Sequence, residues 1–351
     1  MYSTGNSTEG LSTQFPVAQA SEAPLTDSFG RVARKLRISV TDRCNFRCGF
    51  CMPSAPLWLS AKEFLTFEEI TRVTRILGSM GVTKVRLSGG EPLLRPALEE
   101  LVSSITRIPA ITEVGLTTNG MFLAKQARRL AGAGLSEVTV SLHSLKPERY
   151  DAITGTRGAF QTVLTGLDSA KDAGLRTKVN CVVTRGCNED EICDFARLAY
   201  EGGLTVRFIE YMPFDGAKPW DSSLVVSGEE IISKIRSAFE LEGGERAPGS
   251  TATNFRFRGK EEGGVSTITS ITKPFCSDCD RIRLKANGMI VPCLFSNSEF
   301  DIRSGLRSGE SDERIAQSLR RAFNLKFAGV ESLIRSGTAL RNIRPMHVIG
   351  G

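Results

Sequence analysis

Short apolar or β-branched runs alternate with segments of helical periodicity from residue 35 to about residue 210. The runs have the length and composition of buried strands, whereas the segments between them repeat their apolar positions every three to four residues. Among these segments, the clearest helix begins at Thr66, where Thr-Phe-Glu-Glu is a capping box, and another helix is predicted over 190–200. Six strands are predicted, at 35–40, 82–87, 113–117, 137–142, 178–183 and 205–209.

This alternation defines the expected fold class. Strands separated by helices pair in parallel through right-handed crossovers. We therefore predict an α/β fold, a partial (β/α)6 barrel of the TIM type, with an open doubly wound sheet as the alternative. Chemistry in such folds collects at the carboxyl ends of the strands. Cys44, Gly89, Thr117 and Met212 each lie near the end of a predicted strand.

The alternation stops at about residue 213, which divides the chain into three parts. Residues 1–29 are rich in Ser, Thr and Gly and are expected to form a disordered N-terminal extension. Residues 30–213 form the predicted barrel core, and residues 214–351 form a C-terminal region. In that region, apolar runs on either side of Glu-Glu-Gly-Gly at 261–264 predict a hairpin.

Composition narrows the possible classes of function. Hydrophobic residues make up 40% and charged residues 24%, as in ordinary globular proteins, and no run has membrane-spanning length. The net charge of +6 includes no long basic block, so no nucleic-acid partner is expected. The first 30 residues contain no Lys or Arg, unlike a secretory or transit signal. We therefore expect a cytoplasmic protein, where nine cysteines serve metal binding or catalysis rather than disulfides.

The first cysteine triplet, Cys44-x3-Cys48-x2-Cys51, directly follows the first predicted strand. Three closely spaced thiolates can hold one face of a [4Fe-4S] cluster and leave the fourth iron free to bind a small molecule. The alternatives are a zinc site or buried cysteines. Structural zinc usually takes four ligands, and no fourth Cys or His lies nearby in the sequence.

The second triplet, Cys276-x2-Cys279-x13-Cys293, also has no fourth partner nearby, and a zinc ribbon would need a second Cys-x2-Cys pair. Arg281 and Arg283 follow, and their spacing places both guanidinium groups on one face of a strand. Arginine suits phosphate and purine recognition because its planar fork donates paired hydrogen bonds. A solvated charged strand is the alternative.

A family resemblance rests on residues 40–53, Val-Thr-Asp-Arg-Cys-Asn-Phe-Arg-Cys-Gly-Phe-Cys-Met-Pro. This segment resembles the cluster loop of radical S-adenosylmethionine (SAM) enzymes, and more narrowly that of the GTP 3′,8-cyclase family of molybdenum cofactor biosynthesis. The similarity runs from about residue 30 to the end. It implies two [4Fe-4S] clusters, one on each triplet, with SAM as cosubstrate. It also implies that GTP becomes 3′,8-cyclo-7,8-dihydro-GTP through a 5′-deoxyadenosyl radical.

The resemblance also implies roles for individual residues. The expected SAM contacts are Phe50, Gly89, Gly90, Glu91, Ser141 and Met212. The expected GTP contacts are Arg37, Arg86, Thr117, Lys178, Arg281, Ile282 and Arg283, with Lys84 and Arg207 as weaker candidates. The expected catalytic residues are Arg281, Arg283 and the terminal Gly350 and Gly351. Taken alone, most of these residues have a plain alternative, a surface charge or simple packing. His143 departs from the family pattern, which commonly has Asp there.

Other expectations concern partners and rival functions. The resemblance implies an electron donor such as flavodoxin or ferredoxin, and the next enzyme of the pathway, cyclic pyranopterin monophosphate synthase, with a homodimer left open. Two other functions are carried as alternatives: a peptide maturase with an auxiliary cluster, and a non-catalytic zinc-stapled protein that binds nucleotides or RNA. Cys181, Cys187 and Cys193 fit no cluster motif and are expected to serve packing.

Overall fold

The computed structural model describes residues 23–214, 216–217, 220–335 and 344–350. Residues 1–22 of the expected extension lie outside the described residues. The fold begins before the predicted boundary at residue 30, because Leu25 is fully buried and Thr26 forms a β-bridge with Val32. No helix within the described ranges is long and apolar enough to cross a membrane.

One mixed sheet of twelve strands organises the described residues. The strands are β1 Lys35–Ser39, β2 Lys84–Ser88, β3 Glu113–Thr118, β4 Glu137–Ser141, β5 Arg176–Val183, β6 Thr205–Glu210, β7 Leu241–Glu245, β8 Thr253–Phe257, β9 Gly264–Ile268, β10 Arg281–Leu284, β11 Met289–Val291 and β12 Phe300–Asp301. The α-helices are α1 Phe67–Ser79, α2 Leu98–Thr106, α3 Leu123–Gly132, α4 Pro147–Thr154, α5 Phe160–Asp172, α6 Ile192–Gly202, α7 Gly228–Arg236, α8 Arg303–Arg307, α9 Asp312–Asn324, α10 Val330–Arg335 and α11 Met346–Ile349.

The six predicted strands correspond to β1 to β6, which pair in parallel and in chain order. The sheet is not closed, so the α/β partial barrel is confirmed. The C-terminal strands extend both edges of this sheet, because β9 pairs in parallel with β6 and β10 pairs in parallel with β1. The predicted hairpin is the antiparallel pair β8 and β9. The domain boundary at residue 213 stays a prediction.

Residues alternate between the two faces of the barrel strands. On β1, Leu36 and Ile38 are buried in the hydrophobic core, whereas Arg37 lies between them and points to the other face. Helix α1 packs on the core side, and Thr66 caps it as predicted: its hydroxyl accepts a hydrogen bond from the amide of Glu69 at 3.2 Å. The inner face of the sheet is therefore left to polar side chains.

Candidate active site inside the open barrel

A cavity at the carboxyl ends of the barrel strands collects most of the predicted site residues. Its empty volume is about 1660 Å³, a figure that includes solvent at the open mouth. The predicted site residues that line it are Cys44, Cys48, Cys51, Cys276, Cys279, Cys293, Phe50, Gly89, Gly90, Glu91, Ser141, Met212, Arg37, Arg86, Thr117, Arg281 and Arg283.

Four of the predicted residues that the structure describes are not among those lining the cavity: Lys84, Lys178, Ile282 and Gly350. Lys84 forms a salt bridge with Glu113. Ile282 is fully buried in the hydrophobic core, on the opposite face from its arginine neighbours, so its side chain is not available to GTP. Lys178 is paired with Glu137 beneath the cavity. Gly351 lies outside the described residues.

The first cysteine triplet is a group of half-buried cysteines. Burial, which is the largest cause, raises the pKa of Cys44 to about 11 and that of Cys51 to about 12. The pKa of Cys48 is also raised by burial and then by the two neighbouring thiols. Three thiolates at such close quarters repel each other unless a cationic group binds them. The donor set therefore fits a metal cluster.

The second triplet differs at one sulfur. Burial raises the pKa of Cys293 to about 11. It also opposes ionisation of Cys279, but Arg281 and Lys326 outweigh it and lower the pKa of Cys279 to about 7. Lys326 was missed by the sequence analysis, because it lies 47 residues beyond Cys279 and outside any motif.

The spacing of the thiols bears on what they can bind. Among the residues that the structure describes, no three Cys, His, Asp or Glu side chains converge closely enough to hold one metal ion. A single zinc ion needs all its ligands at about 2.0–2.3 Å, whereas a cubane offers each thiolate its own iron atom. Three thiols in each triplet are the donor set that a [4Fe-4S] cluster uses, with one site left for a ligand that is not a protein side chain.

Gly89 and Gly90 leave room for the first cluster loop. A Cβ at Gly89 would lie 2.5 Å from the carbonyl oxygen of Thr41, and one at Gly90 would overlap the carbonyl of Arg43. The amide of Gly90 donates to the Thr41 carbonyl at 2.7 Å. Both glycines also line the cavity, so the predicted contact with SAM stays a prediction, and the structure adds a close backbone approach to the loop that precedes Cys44.

The carboxylate of Glu91, which lines the cavity, accepts three hydrogen bonds within the protein. The donors are the amides of Leu93 and Asn119 and the hydroxyl of Thr118. Burial raises the pKa of Glu91 to about 7 despite these bonds. Asn119, another residue that sequence reasoning missed, places its side-chain amide 3.9 Å from the sulfur of Cys44. Glu91 therefore ties the ends of β2 and β3 together beside the first triplet.

The sheet register builds a layer of arginines. Arg37 on β1 is aligned with Arg86 on β2 and with Arg283 on β10, and neighbouring strands lie only about 4.8 Å apart. Burial, and then these guanidinium groups together with Arg281 and Arg207, lower the pKa of Arg37. The layer is a concentrated positive charge that favours a polyanionic ligand.

Glu137 anchors part of this layer from below. It is almost completely buried and pairs with both Arg86 and Lys178. Burial opposes its ionisation, but the two cations prevail and lower the pKa of Glu137 to about 2. Gly115, beside Arg86 in the register, leaves space for the guanidinium, since a Cβ there would lie 2.8 Å from Cζ of Arg86.

The C-terminal segment docks between the two triplets. The amide of Met346 donates to the carbonyl of Cys51 at 3.1 Å, and Arg283 donates to the carbonyl of Gly350, also at 3.1 Å. Gly350 has φ +82°, and a Cβ there would lie 2.5 Å from the hydroxyl of Ser88. A non-glycine residue would be strained there and would also clash.

His143 lines the cavity next to Phe50, with ring centroids 4.9 Å apart. Its Nδ1 accepts a hydrogen bond from the amide of Val182 at 3.2 Å. Burial lowers the pKa of His143 to about 4, so the ring is neutral and carries its proton on Nε2. The side-chain oxygen of Asn180, in the same cavity, is a buried acceptor without a hydrogen-bond partner among the described residues.

Comparisons with known proteins agree with this geometry. The radical SAM superfamily model matches residues 38–199, and the model named Molybdenum Cofactor Synthesis C matches residues 204–331. A GTP 3′,8-cyclase of Streptomyces coelicolor is 42% identical over 332 residues, 93% of this chain and 96% of that protein. Molybdenum cofactor biosynthesis protein 1 of Mus musculus is 42% identical over 97% of this chain, which spans only 54% of that protein.

Among solved structures, that of Streptococcus suis SuiB bound to S-adenosylmethionine has a TM-score of 0.60 and 15% identity. The match covers 88% of this chain and 76% of that chain, and at this identity it shows the fold alone. The open barrel with its cysteine loop is that of a radical SAM enzyme, a class that binds SAM and an iron-sulfur cluster. Within this class, the chain belongs to the GTP 3′,8-cyclase family of molybdenum cofactor biosynthesis. This membership argues against both alternative functions.

Proposed function

We propose that the chain is a GTP 3′,8-cyclase, which converts GTP into 3′,8-cyclo-7,8-dihydro-GTP in the first step of molybdenum cofactor biosynthesis in the cytoplasm. The observation that carries the proposal is one cavity lined by two cysteine triplets and by a layer of arginines on three adjacent strands. A nucleoside triphosphate carries several negative charges, and Arg37, Arg86 and Arg283 provide matching cations, of which Arg86 is already paired with Glu137.

The proposal includes two [4Fe-4S] clusters, one held by Cys44, Cys48 and Cys51 and the other held by Cys276, Cys279 and Cys293. The first cluster would supply one electron for cleavage of SAM into methionine and a 5′-deoxyadenosyl radical, the species that would abstract the hydrogen atom from C3′ of the GTP ribose. The chain itself places the reactants. Phe50, Ser141 and Met212 line the cavity where SAM is proposed to bind, and the bonds of Glu91 hold the adjoining loops in place.

The substrate half of the cavity lies towards β10. Arg281, with one buried guanidinium nitrogen lacking a hydrogen-bond partner, is proposed to bind GTP together with Arg283 and Thr117. The unused donor supports this role, because an unpaired buried donor is costly until a ligand satisfies it. Gly350 is proposed to close the site, since its carbonyl already accepts from Arg283. Lys178 is proposed to act through Glu137 and the arginine layer.

The proposed partners follow from the same reaction. One electron must reach the first cluster for each turnover, so a carrier such as flavodoxin or ferredoxin is needed. The product would pass to cyclic pyranopterin monophosphate synthase. A homodimer is left open as the assembly.

The decisive experiment is anaerobic incubation of the purified protein with a reductant, SAM and each nucleoside triphosphate in turn. Of the nucleoside triphosphates, we expect only GTP to stimulate 5′-deoxyadenosine formation and to yield the cyclised product. We also expect Arg281→Ala, and separately deletion of Gly350 and Gly351, to keep the iron content of the wild type but to abolish cyclisation. Stimulation by a peptide instead of GTP would overturn the proposal, and normal cyclisation by either variant would remove its assigned role.

A further inference from the structure

Lys326 is a buried lysine beside the second triplet. It follows α9, and only 2% of its surface is exposed to solvent. Lysine is almost never fully buried without a partner, because removing an ammonium from water is costly. The neighbouring Leu325 is 63% exposed, so the chain turns the lysine inwards and leaves the leucine outside. This inversion of the usual preference indicates that the ammonium is held by specific contacts.

Three contacts saturate the ammonium group. Nζ of Lys326 donates to the carbonyl oxygens of Cys279 and Arg281, both at 2.9 Å, and to the sulfur of Cys279 at 3.2 Å. An ammonium has three donors and no acceptor, so these bonds use its full capacity. Two of the three hold the backbone of the cluster loop, and the third reaches a proposed iron ligand.

The rest of the loop is held by a second buried cation. Arg31 donates to the carbonyl of Cys276 at 2.9 Å, but its charge is balanced by Asp27, whose carboxylate lies 2.6 Å away. Lys326, by contrast, forms no salt bridge with a carboxylate among the described residues. Its charge is therefore available to the thiolate and to whatever Cys279 binds.

We propose that Lys326 is a positioning residue for the second cluster: it fixes Cys279 in its binding orientation and raises the reduction potential of the cluster that Cys279 holds. A [4Fe-4S] cluster becomes more negative on reduction, so a nearby positive charge and an N–H···S bond stabilise the reduced form. Outer contacts of this kind orient ligands and tune metal centres. The inference rests on the proposed function, which assigns a cluster to this triplet.

The test needs the second cluster alone. A background with Cys44, Cys48 and Cys51 all changed to Ala should retain only that cluster, whose midpoint potential is then measured by redox titration with electron paramagnetic resonance. In this background, Lys326→Met should shift the midpoint to a more negative value, and Lys326→Arg, which keeps the charge, should restore it at least in part. Lys125→Met, which changes an exposed lysine on α3, is the matched control and should leave the midpoint unchanged.

The outcomes separate the inference from the function on which it rests. An unchanged midpoint in Lys326→Met, with iron content maintained, overturns the inference. If Lys326→Met loses its iron, the result for Lys326→Arg is decisive. Iron retained in Lys326→Arg, with a midpoint near that of the background protein, supports the inference. Loss of iron in both variants would mean that Lys326 only holds the loop in place, and it overturns the inference. Absence of iron from the background protein itself would instead contradict the proposed second cluster.

Discussion

The two cysteine triplets face one cavity, but their surroundings differ in charge. Beside the first triplet, the sulfur of Cys44 is approached by neutral donors, the amide of Phe46 at 3.4 Å and the side chain of Asn119 at 3.9 Å. The guanidinium of Arg47 donates to the carbonyl of Cys44 at 2.8 Å rather than to its sulfur. Beside the second, Cys279 is approached by the ammonium of Lys326 at 3.2 Å. Burial raises the pKa of Cys44 to about 11, whereas at Cys279 the charges of Arg281 and Lys326 outweigh burial and lower the pKa to about 7.

One fold can therefore present two similar cysteine triplets in environments that suit different tasks, electron delivery and nucleotide binding. Of the two proposed clusters, the one on the first triplet has only neutral donors at the Cys44 sulfur, so it should gain less stabilisation on reduction and be the stronger reductant. A cluster among Lys326, Arg281 and Arg283 holds negative charge more readily and can face an anionic substrate. The neutral environment suits electron delivery, and the cationic environment suits nucleotide binding.

The largest effect should come from removing one cysteine of each triplet. Cys48→Ala should lower 5′-deoxyadenosine formation more than ~100-fold, since even changes to outer contacts of a metal cost 10–100-fold. Cys279→Ala should keep SAM cleavage but lose its stimulation by GTP. Both are measured by chromatography of the nucleosides formed, with iron content determined alongside. Cys193→Ala, which changes a half-buried cysteine on α6, is the control. Equal losses of SAM cleavage in both triplet variants would break the comparison.

A smaller effect is expected in the arginine layer, which is part of the proposed GTP site. Arg37→Met should weaken GTP binding ~10–100-fold, because a hydrogen bond to a charged group contributes ~1.5–3 kcal/mol. The same change should raise the melting temperature without GTP, because Arg37 lies among four other guanidinium groups that oppose its charge. Equilibrium dialysis and thermal unfolding measure the two effects.

Arg128→Met, on the exposed side of α3, provides the control for this pair of measurements. It should alter neither GTP affinity nor melting temperature. Wild-type affinity in Arg37→Met would show that the layer does not bind the triphosphate, and the charge contrast between the two triplets would then need another explanation.

How much of this contrast could be predicted from the sequence depends on how far apart along the chain the interacting residues lie. The six barrel strands, the cysteine loops and the shared face of Arg281 and Arg283 follow from local periodicity and spacing. The pairing of β1 with β10 does not, because no local signal sets the register of strands so far apart. Lys326 and Glu137 were missed for the same reason. Their roles arise only when distant segments meet, and each looks like a surface charge in isolation.

The smallest expected effect concerns the charge of His143, which lines the cavity beside Phe50. Burial holds the pKa of His143 at about 4, below its unfolded value of ~6.5, so the neutral form stabilises the fold above pH 6.5. This stabilisation is lost as the pH falls towards 4. Between pH 7.5 and 5.5 the wild type should therefore lose roughly 1 kcal/mol more unfolding free energy than His143→Gln. Denaturant unfolding at both values measures the difference.

His143→Gln is a suitable reference because a glutamine oxygen can still accept the hydrogen bond from the amide of Val182, while it cannot take up a proton in this range. His347 is present in both proteins, so its titration cancels in the difference. If the two proteins lost stability in parallel as the pH fell, His143 would not be held neutral by the fold. The neutral character assigned to the surroundings of the first triplet would then rest on Asn119 and the backbone amides alone.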